Sequence, residues 1–278
     1  MAHKEDTGKQ YHLSCTGDAL QTVHQHSSPQ DITFFAACFC PFVQRVWVAL
    51  EYLQIPYRVN EVDPYRKPAE LLQVSPKGLV PGLRIENTDP VRSLNESTVI
   101  LEYLEDSAAA VGGKSLLPPK QEPYARALVR LQCDHVNRNL IPAFYRYLQA
   151  QSEDAIVAGA KEFVLSLERL ASLLERADHE VGGIACGLWR EDGILSLTDV
   201  MAGPWLFRAT NVLKHYRAFE LPPSDRFKRW IARLISHPAF RATTSTEDLY
   251  LESYERYAFN RPNTSQVANA INAGRNLP

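Results

Sequence analysis

An excess of charge of either sign is missing from this chain: 30 Lys and Arg stand against 32 Asp and Glu, a formal charge of −2. That balance offers no electrostatic footprint for nucleic acid or an anionic membrane, so a small molecule or a protein is the expected partner. Long apolar runs are missing too. No stretch approaches a membrane span, and Met1-Ala2-His3-Lys4-Glu5-Asp6 is charged and leads into no apolar signal region. A cytoplasmic protein without a membrane partner is expected. Cysteine is sparse: Cys15, Cys38, Cys40, Cys133 and Cys186 are odd in number and lack paired zinc-ligand spacing, which fits reduced thiols and no metal site. No internal repeat of useful length is present.

What is there is ordinary globular material, 278 residues with 45% hydrophobic and 22% charged side chains, enough for one large domain or two smaller ones. After a polar lead of about thirty residues, strand and helix signals alternate. Ile32 to Ala37 reads as a buried strand, and from Pro41 the residues Val43, Val46, Trp47, Leu50 and Leu53 recur at helical spacing. Tyr57 to Val62 alternates as a second strand, and Pro68 to Val74 makes a short helix stopped by Ser75-Pro76 and Gly78. Leu83 to Ile85 and Val91 to Leu94 form a hairpin around Asn87-Thr88-Asp89-Pro90, and Ser97 to Asp106 closes a βαβαββα unit as a helix. Beyond Gly112-Gly113-Lys114 and Pro118-Pro119 the strong patterns are helical: Tyr124 to Gln149, Ala155 to Arg176, Leu197 to His215 and Asp225 to Ser236. Ser196 and Asp199 have capping-box spacing, a folding role. From Arg261 the tail is polar and reads as irregular.

Cys40 is the best clue to chemistry in the chain. Pro41 lacks an N–H and is pre-set in φ, so it suits the first helical turn and leaves Cys40 at the N-cap. Free N–H groups and the positive end of the helix dipole there favour a thiolate, the nucleophile of disulfide exchange. Buried cysteine is also ordinary packing, and spacing alone leaves both readings open. Val43 stands three residues on, so the Cys-x-x-Cys pair is absent and no second thiol at that site can resolve an intermediate. Cys38 reads as a packed strand residue, with oxidation sensing as the alternative.

A βαβαββα unit with cysteine at its first helix, followed by a proline linker and an α-bundle, resembles the cytosolic glutathione transferases over residues 31 to 260. Cys40-Pro41-Phe42-Val43-Gln44-Arg45 looks like the omega-class signature, in which cysteine replaces serine or tyrosine. Lys67-Pro68, Gly78-Leu79-Val80-Pro81, Glu96-Ser97 and Ser196 to Asp199 follow in the family's order, and Trp205 to Asn211 with Tyr254 to Asn260 look most like the fungal omega-like branch. The resemblance implies an N-terminal extension (1–30), a thioredoxin-like domain (31–107), a linker (108–122), an all-α domain (123–260) and a tail (261–278). It also implies glutathione as co-substrate and a homodimer. In the family, Pro81 follows a cis bond that turns Val80 toward the cysteinyl part of glutathione, Ser97 and Glu96 take its γ-glutamyl end, and Lys67 reaches its glycyl carboxylate. Phe42 and Leu79 belong to the same site. Taken alone, Pro81 is a turn proline, Glu96-Ser97 a helix cap and Lys67 a surface lysine.

With cysteine in place of serine or tyrosine, the resemblance implies a monothiol cycle: Cys40 takes glutathione as a mixed disulfide and a second glutathione removes it. Deglutathionylation, dehydroascorbate reduction, reduction of conjugates and transfer to electrophiles all fit. By correspondence Arg208 and Trp230 are expected as walls of a second-substrate pocket, with Phe42 beneath. A non-catalytic carrier or regulator on the same fold is the alternative. The intracellular chloride channel type shares Cys-Pro-Phe but finds no membrane signal here, and glutathionyl-hydroquinone reductases typically carry tryptophan where this chain has Phe42.

Overall fold

Ile32–Ala36 forms strand β1, with all five residues buried, as a continuous apolar run requires of a strand covered on both faces. The computed structural model describes residues 11–278; residues 1–10, part of the expected N-terminal extension, lie outside the described residues. β1 pairs in parallel with β2 (Arg58–Glu61) and antiparallel with β3 (Gly82–Ile85), which pairs antiparallel with β4 (Arg92–Asn95), giving the order β2-β1-β3-β4. Phe34 stands opposite both Val59 and Leu83. Parallel neighbours need a crossover, supplied by α2 (Pro41–Leu53). Its Trp47 indole donates to the Tyr57 hydroxyl at 2.6 Å, and that hydroxyl donates to Glu51 at 2.6 Å. The short helix α3 (Ala69–Val74) covers the other sheet face, where Phe35, Val62, Leu71 and Val74 form a small core. α4 (Ser97–Ala110) lies beside α2. The observed order from β1 is the expected βαβαββα.

The second half is helical, with two interruptions that the periodicity hid. The helix expected over Tyr124 to Gln149 is α5 (Pro123–His135), a π-helical turn (Val136–Leu140) and α6 (Ile141–Gln149). Pro142 lies two residues past the turn and cannot donate into a regular ladder. The stretch Leu197 to His215 divides in the same way into α8 (Leu197–Arg208), a π turn (Ala209–Leu213) and α9 (Lys214–Arg217). Between them α7 runs longer than expected (Glu153–Val181), capped by the Ser152 hydroxyl and stopped at Gly182, whose φ of +65° suits glycine. α10 (Asp225–Ser236), α11 (Pro238–Arg241) and α12 (Glu247–Ala258) follow.

Both ends depart from expectation. Within the polar lead, α1 (Gly17–Gln25) docks on the segment after α11: the Thr22 hydroxyl donates to Ala242 O at 2.6 Å and the Ala19 N–H to Thr244 O at 3.1 Å. The tail read as irregular contains α13 (Gln266–Asn272), capped by Ser265 and packed on α6, where Gln149 donates to Ala268 O and Asn272 Oδ1. Seven residues are too few to be helical alone; packing on α6 supplies the stability. No helix of the described residues is long and apolar enough to cross a membrane.

Candidate active site

A cleft of about 980 Å³ opens between the sheet half and the helical half, and Cys40 lies on its floor. Cys40 has extended dihedrals (φ −76°, ψ 122°) and Pro41 stands in the first turn of α2, the arrangement that the Cys-Pro pair predicts. The Phe42 and Val43 N–H groups at the helix start favour its thiolate without closing a cap hydrogen bond to its sulfur, and its Sγ lies 3.9 Å from Val80 O. It alone of the five cysteines keeps partial exposure. Burial nevertheless pushes the Cys40 thiol up, opposed by those two N–H groups and by the Arg208 and Arg45 guanidiniums. The expected preference for thiolate is thereby corrected: the helix-end donors are present, but desolvation outweighs them.

Lys67, Leu79, Val80, Pro81, Glu96 and Ser97 all line the same cleft as Cys40 and Phe42. The Val80–Pro81 bond is cis, as is Asp89–Pro90. Ser97 opens α4 and is buried, so its N–H and hydroxyl stand at a positive helix end. Glu96 before it has φ +68°, a region costly for a residue with a Cβ and found where function over-determines the backbone. The Lys67 ammonium donates to Lys77 O at 2.6 Å. Its stem passes close to Gly78, whose φ of +61° favours glycine.

Two expected wall residues are elsewhere. Arg208 is fully buried and holds the backbone ahead of Cys40, donating to Phe39 O (2.9 Å), Pro204 O (2.9 Å) and Gln44 Oε1 (2.7 Å). Trp230 is also fully buried, stacked edgewise on Trp189 and donating to Asp199 Oδ1 at 2.7 Å. Neither lines the cleft, because the amphipathic face of α10 points into the bundle and Arg208 points under α2. Cys38 is buried, with its thiol 3.2 Å from His12 O, and burial pushes it up to about 12.

The far wall consists of residues that were given no site role from the sequence, although Tyr254 and Tyr257 lie in the stretch that resembles the fungal omega-like branch. Tyr65, Tyr145, Tyr254 and Tyr257 face the cleft from three parts of the chain, the last two from successive turns of α12. Tyr65 and Tyr257 lie close enough to influence each other's phenols, as do Tyr145 and Tyr254. Desolvation raises all four phenols, Tyr257 to about 12, so they remain neutral donors at ordinary pH. The i, i+3 spacing of Tyr254 and Tyr257 was the available signal. The tail from Asn263 onward roofs the cleft, a role with no local sequence signal. Such an arrangement can hold a peptide-like thiol along α4 and β3 and an aromatic or extended second molecule against the tyrosines.

A family model described as glutathione S-transferase, N-terminal domain, matches residues 39–107. Glutathione S-transferase omega-1 of Sus scrofa is 27% identical over 229 residues, 82% of this chain and 84% of that protein. Pyrimidodiazepine synthase of Drosophila melanogaster is 27% identical over 241 residues, 84% of this chain and 90% of that protein. Among solved structures, glutathione transferase Omega 3C of Trametes versicolor aligns with a TM-score of 0.74 at 32% identity, covering 89% of this chain and 98% of that one.

Proposed function

The chain belongs to the glutathione transferase family, and on that premise we propose an omega-type, glutathione-dependent thiol transfer with Cys40 as nucleophile. The observation that carries this reading is Cys40 at the start of α2 in one cleft with Lys67, Val80, Glu96 and Ser97. Glutathione lies with its γ-glutamyl carboxylate on the Ser97 N–H and hydroxyl, its ammonium on Glu96, its cysteinyl backbone along Val80 and its glycyl carboxylate toward Lys67. The sulfur of a glutathione mixed disulfide then faces Cys40. The Cys40 thiolate attacks that sulfur, the S–S bond breaks, and the other thiol leaves as a thiolate that takes up a proton. A second glutathione thiolate attacks the Cys40 adduct, restoring the Cys40 thiolate and releasing glutathione disulfide. A raised thiol pKa does not preclude this: the thiolate is less populated but intrinsically more nucleophilic.

Cys40→Ser is the test, assayed with a glutathionylated thiol and with dehydroascorbate as substrates. Thiol transfer is abolished while equilibrium binding of glutathione persists; full activity in the variant would sink the reading. The four tyrosines favour a second reading, in which the protein carries aromatic ligands without turning them over. Tight binding of such ligands with negligible turnover of disulfide substrates by the unmutated protein would select it.

A further inference from the structure

Two cations lie buried beside Cys40, and no carboxylate among the described residues pairs with them. Arg45 and Arg208 are 1% and 0% exposed, and neither makes an ion pair among the described residues. Arg45 lines the cleft; its Nε donates to Met201 O at 2.9 Å and its Nη2 has no partner. Arg208 spends its two Nη groups on Phe39 O, Pro204 O and Gln44, and its Nε is unpartnered. Aromatic faces take the place of carboxylates: Arg45 lies 4.5 Å over Trp205 and 5.5 Å over Phe42, and Arg208 4.6 Å over Tyr250 and 5.6 Å over Tyr254. A buried unpaired cation is strongly destabilising, so a fold that keeps two of them near one sulfur has a use for their field. A carboxylate partner would cancel that field at the sulfur; a ring quadrupole solvates the cation and leaves it largely intact.

We propose that Arg45 and Arg208 are positioning residues whose paired charge is the built-in counter-ion of the Cys40 thiolate. This rests on the reading of Cys40 as the nucleophile. Among the other titratable groups, Tyr65, Tyr145, Tyr254 and Tyr257 are phenols kept neutral by burial and Cys38 is held as a thiol, while Lys67, which lines the same cleft with Glu96, donates to Lys77 O. Tyr250 under Arg208 and Cys133 near Arg45 are likewise raised by burial. Burial lowers Arg45 to about 9, and an anion at Cys40 raises it again. Thiolate and guanidinium thus stabilise each other, and the same Arg208 that supplies charge also fixes the Phe39 carbonyl one residue ahead of Cys40.

The test is alkylation of Cys40 by iodoacetamide as a function of pH, read by mass spectrometry. Arg45→Met and Arg208→Met each move the midpoint upward by about one pH unit or more, as loss of a neighbouring opposite charge does. Arg45→Lys and Arg208→Lys, whose amines the buried sites drive toward neutrality, move the midpoint upward by less than the Met variants. A merely structural role would separate these variants differently, because lysine cannot reproduce the guanidinium fork. Unmoved midpoints in folded Met variants overturn the proposal. A second measurement needs no substitution: iodoacetate and iodoacetamide give Cys40 adducts of similar size that differ by one negative charge. The carboxymethyl adduct melts above the carbamidomethyl adduct by about 2 °C or more, and equal or lower melting overturns the proposal even where the Met variants do not fold. Thiol transfer surviving in Cys40→Ser would instead remove the parent reading.

Discussion

Asp199 is buried and accepts from the Leu188 N–H (3.0 Å), the Ser196 N–H (2.9 Å), the Ser196 hydroxyl (2.8 Å) and the Trp230 indole (2.7 Å). Asp199→Ala strands all four donors, so urea unfolding should show a loss of about 3 kcal/mol or more; a loss below about 1 kcal/mol would contradict this. Cys40 makes a different kind of prediction. Its thiol is raised by burial, so thiolate forms at higher pH than in a free thiol, and its alkylation rate should keep climbing after that of free glutathione has levelled off. Labelling at pH 8 should mark Cys40 well ahead of Cys38, Cys133 and Cys186, each pushed to about 12. Equal labelling of a second cysteine would refute the burial argument. Ser97→Ala removes a hydroxyl at the α4 N-terminus and should weaken glutathione binding by about 1.5 kcal/mol, roughly tenfold in KM, with kcat little changed.

At the scale of elements, the roof over the cleft is the part that sequence periodicity did not reveal. α13 buries Ala268, Ala270 and Ile271 and is tied to α6 through Gln149. Ending the chain before Ser265 removes the roof. A bulky maleimide should then reach Cys40 several-fold faster while the rate with small iodoacetamide changes little, and parallel changes in both rates would show that the tail does not screen the cleft. The two π turns have the opposite history. A hydrophobic stripe continues through them, so the pattern read as one helix each, and only the backbone shows where an extra residue is inserted. The second π turn directly follows Arg208, at the end of the helix that carries it under α2.

At the scale of the molecule, the two halves are joined by buried polar contacts: Arg208 from α8 reaches Gln44 on α2 and Phe39 before it, and Arg45 on α2 reaches Met201 on α8. The N-terminal segment adds a latch. Gly17 has φ +59° and a Cβ there would lie 3.3 Å from Thr246 Cγ2, so Gly17→Ala should cost about 1–2 kcal/mol through the strained backbone, measurable by denaturant unfolding. An unchanged midpoint would mean that the latch bears no stability. The βαβαββα order, the Cys-Pro helix start and the Ser196–Asp199 cap were legible because each is local: strand and helix periods, a missing N–H and a three-residue spacing declare themselves along the chain. Which side chains face the cleft was not. Arg208 and Trp230 are amphipathic-helix residues whose direction depends on what α8 and α10 pack against, and the tyrosine wall and the α13 roof assemble from segments distant in sequence. The sequence by itself determined the order of the first-half elements and the place of Cys40 at the start of α2. Only the tertiary structure decided that burial raises this thiol, that two unpaired guanidiniums oppose the rise, and that the tail covers it, because desolvation and charge proximity are properties of the space around the sulfur.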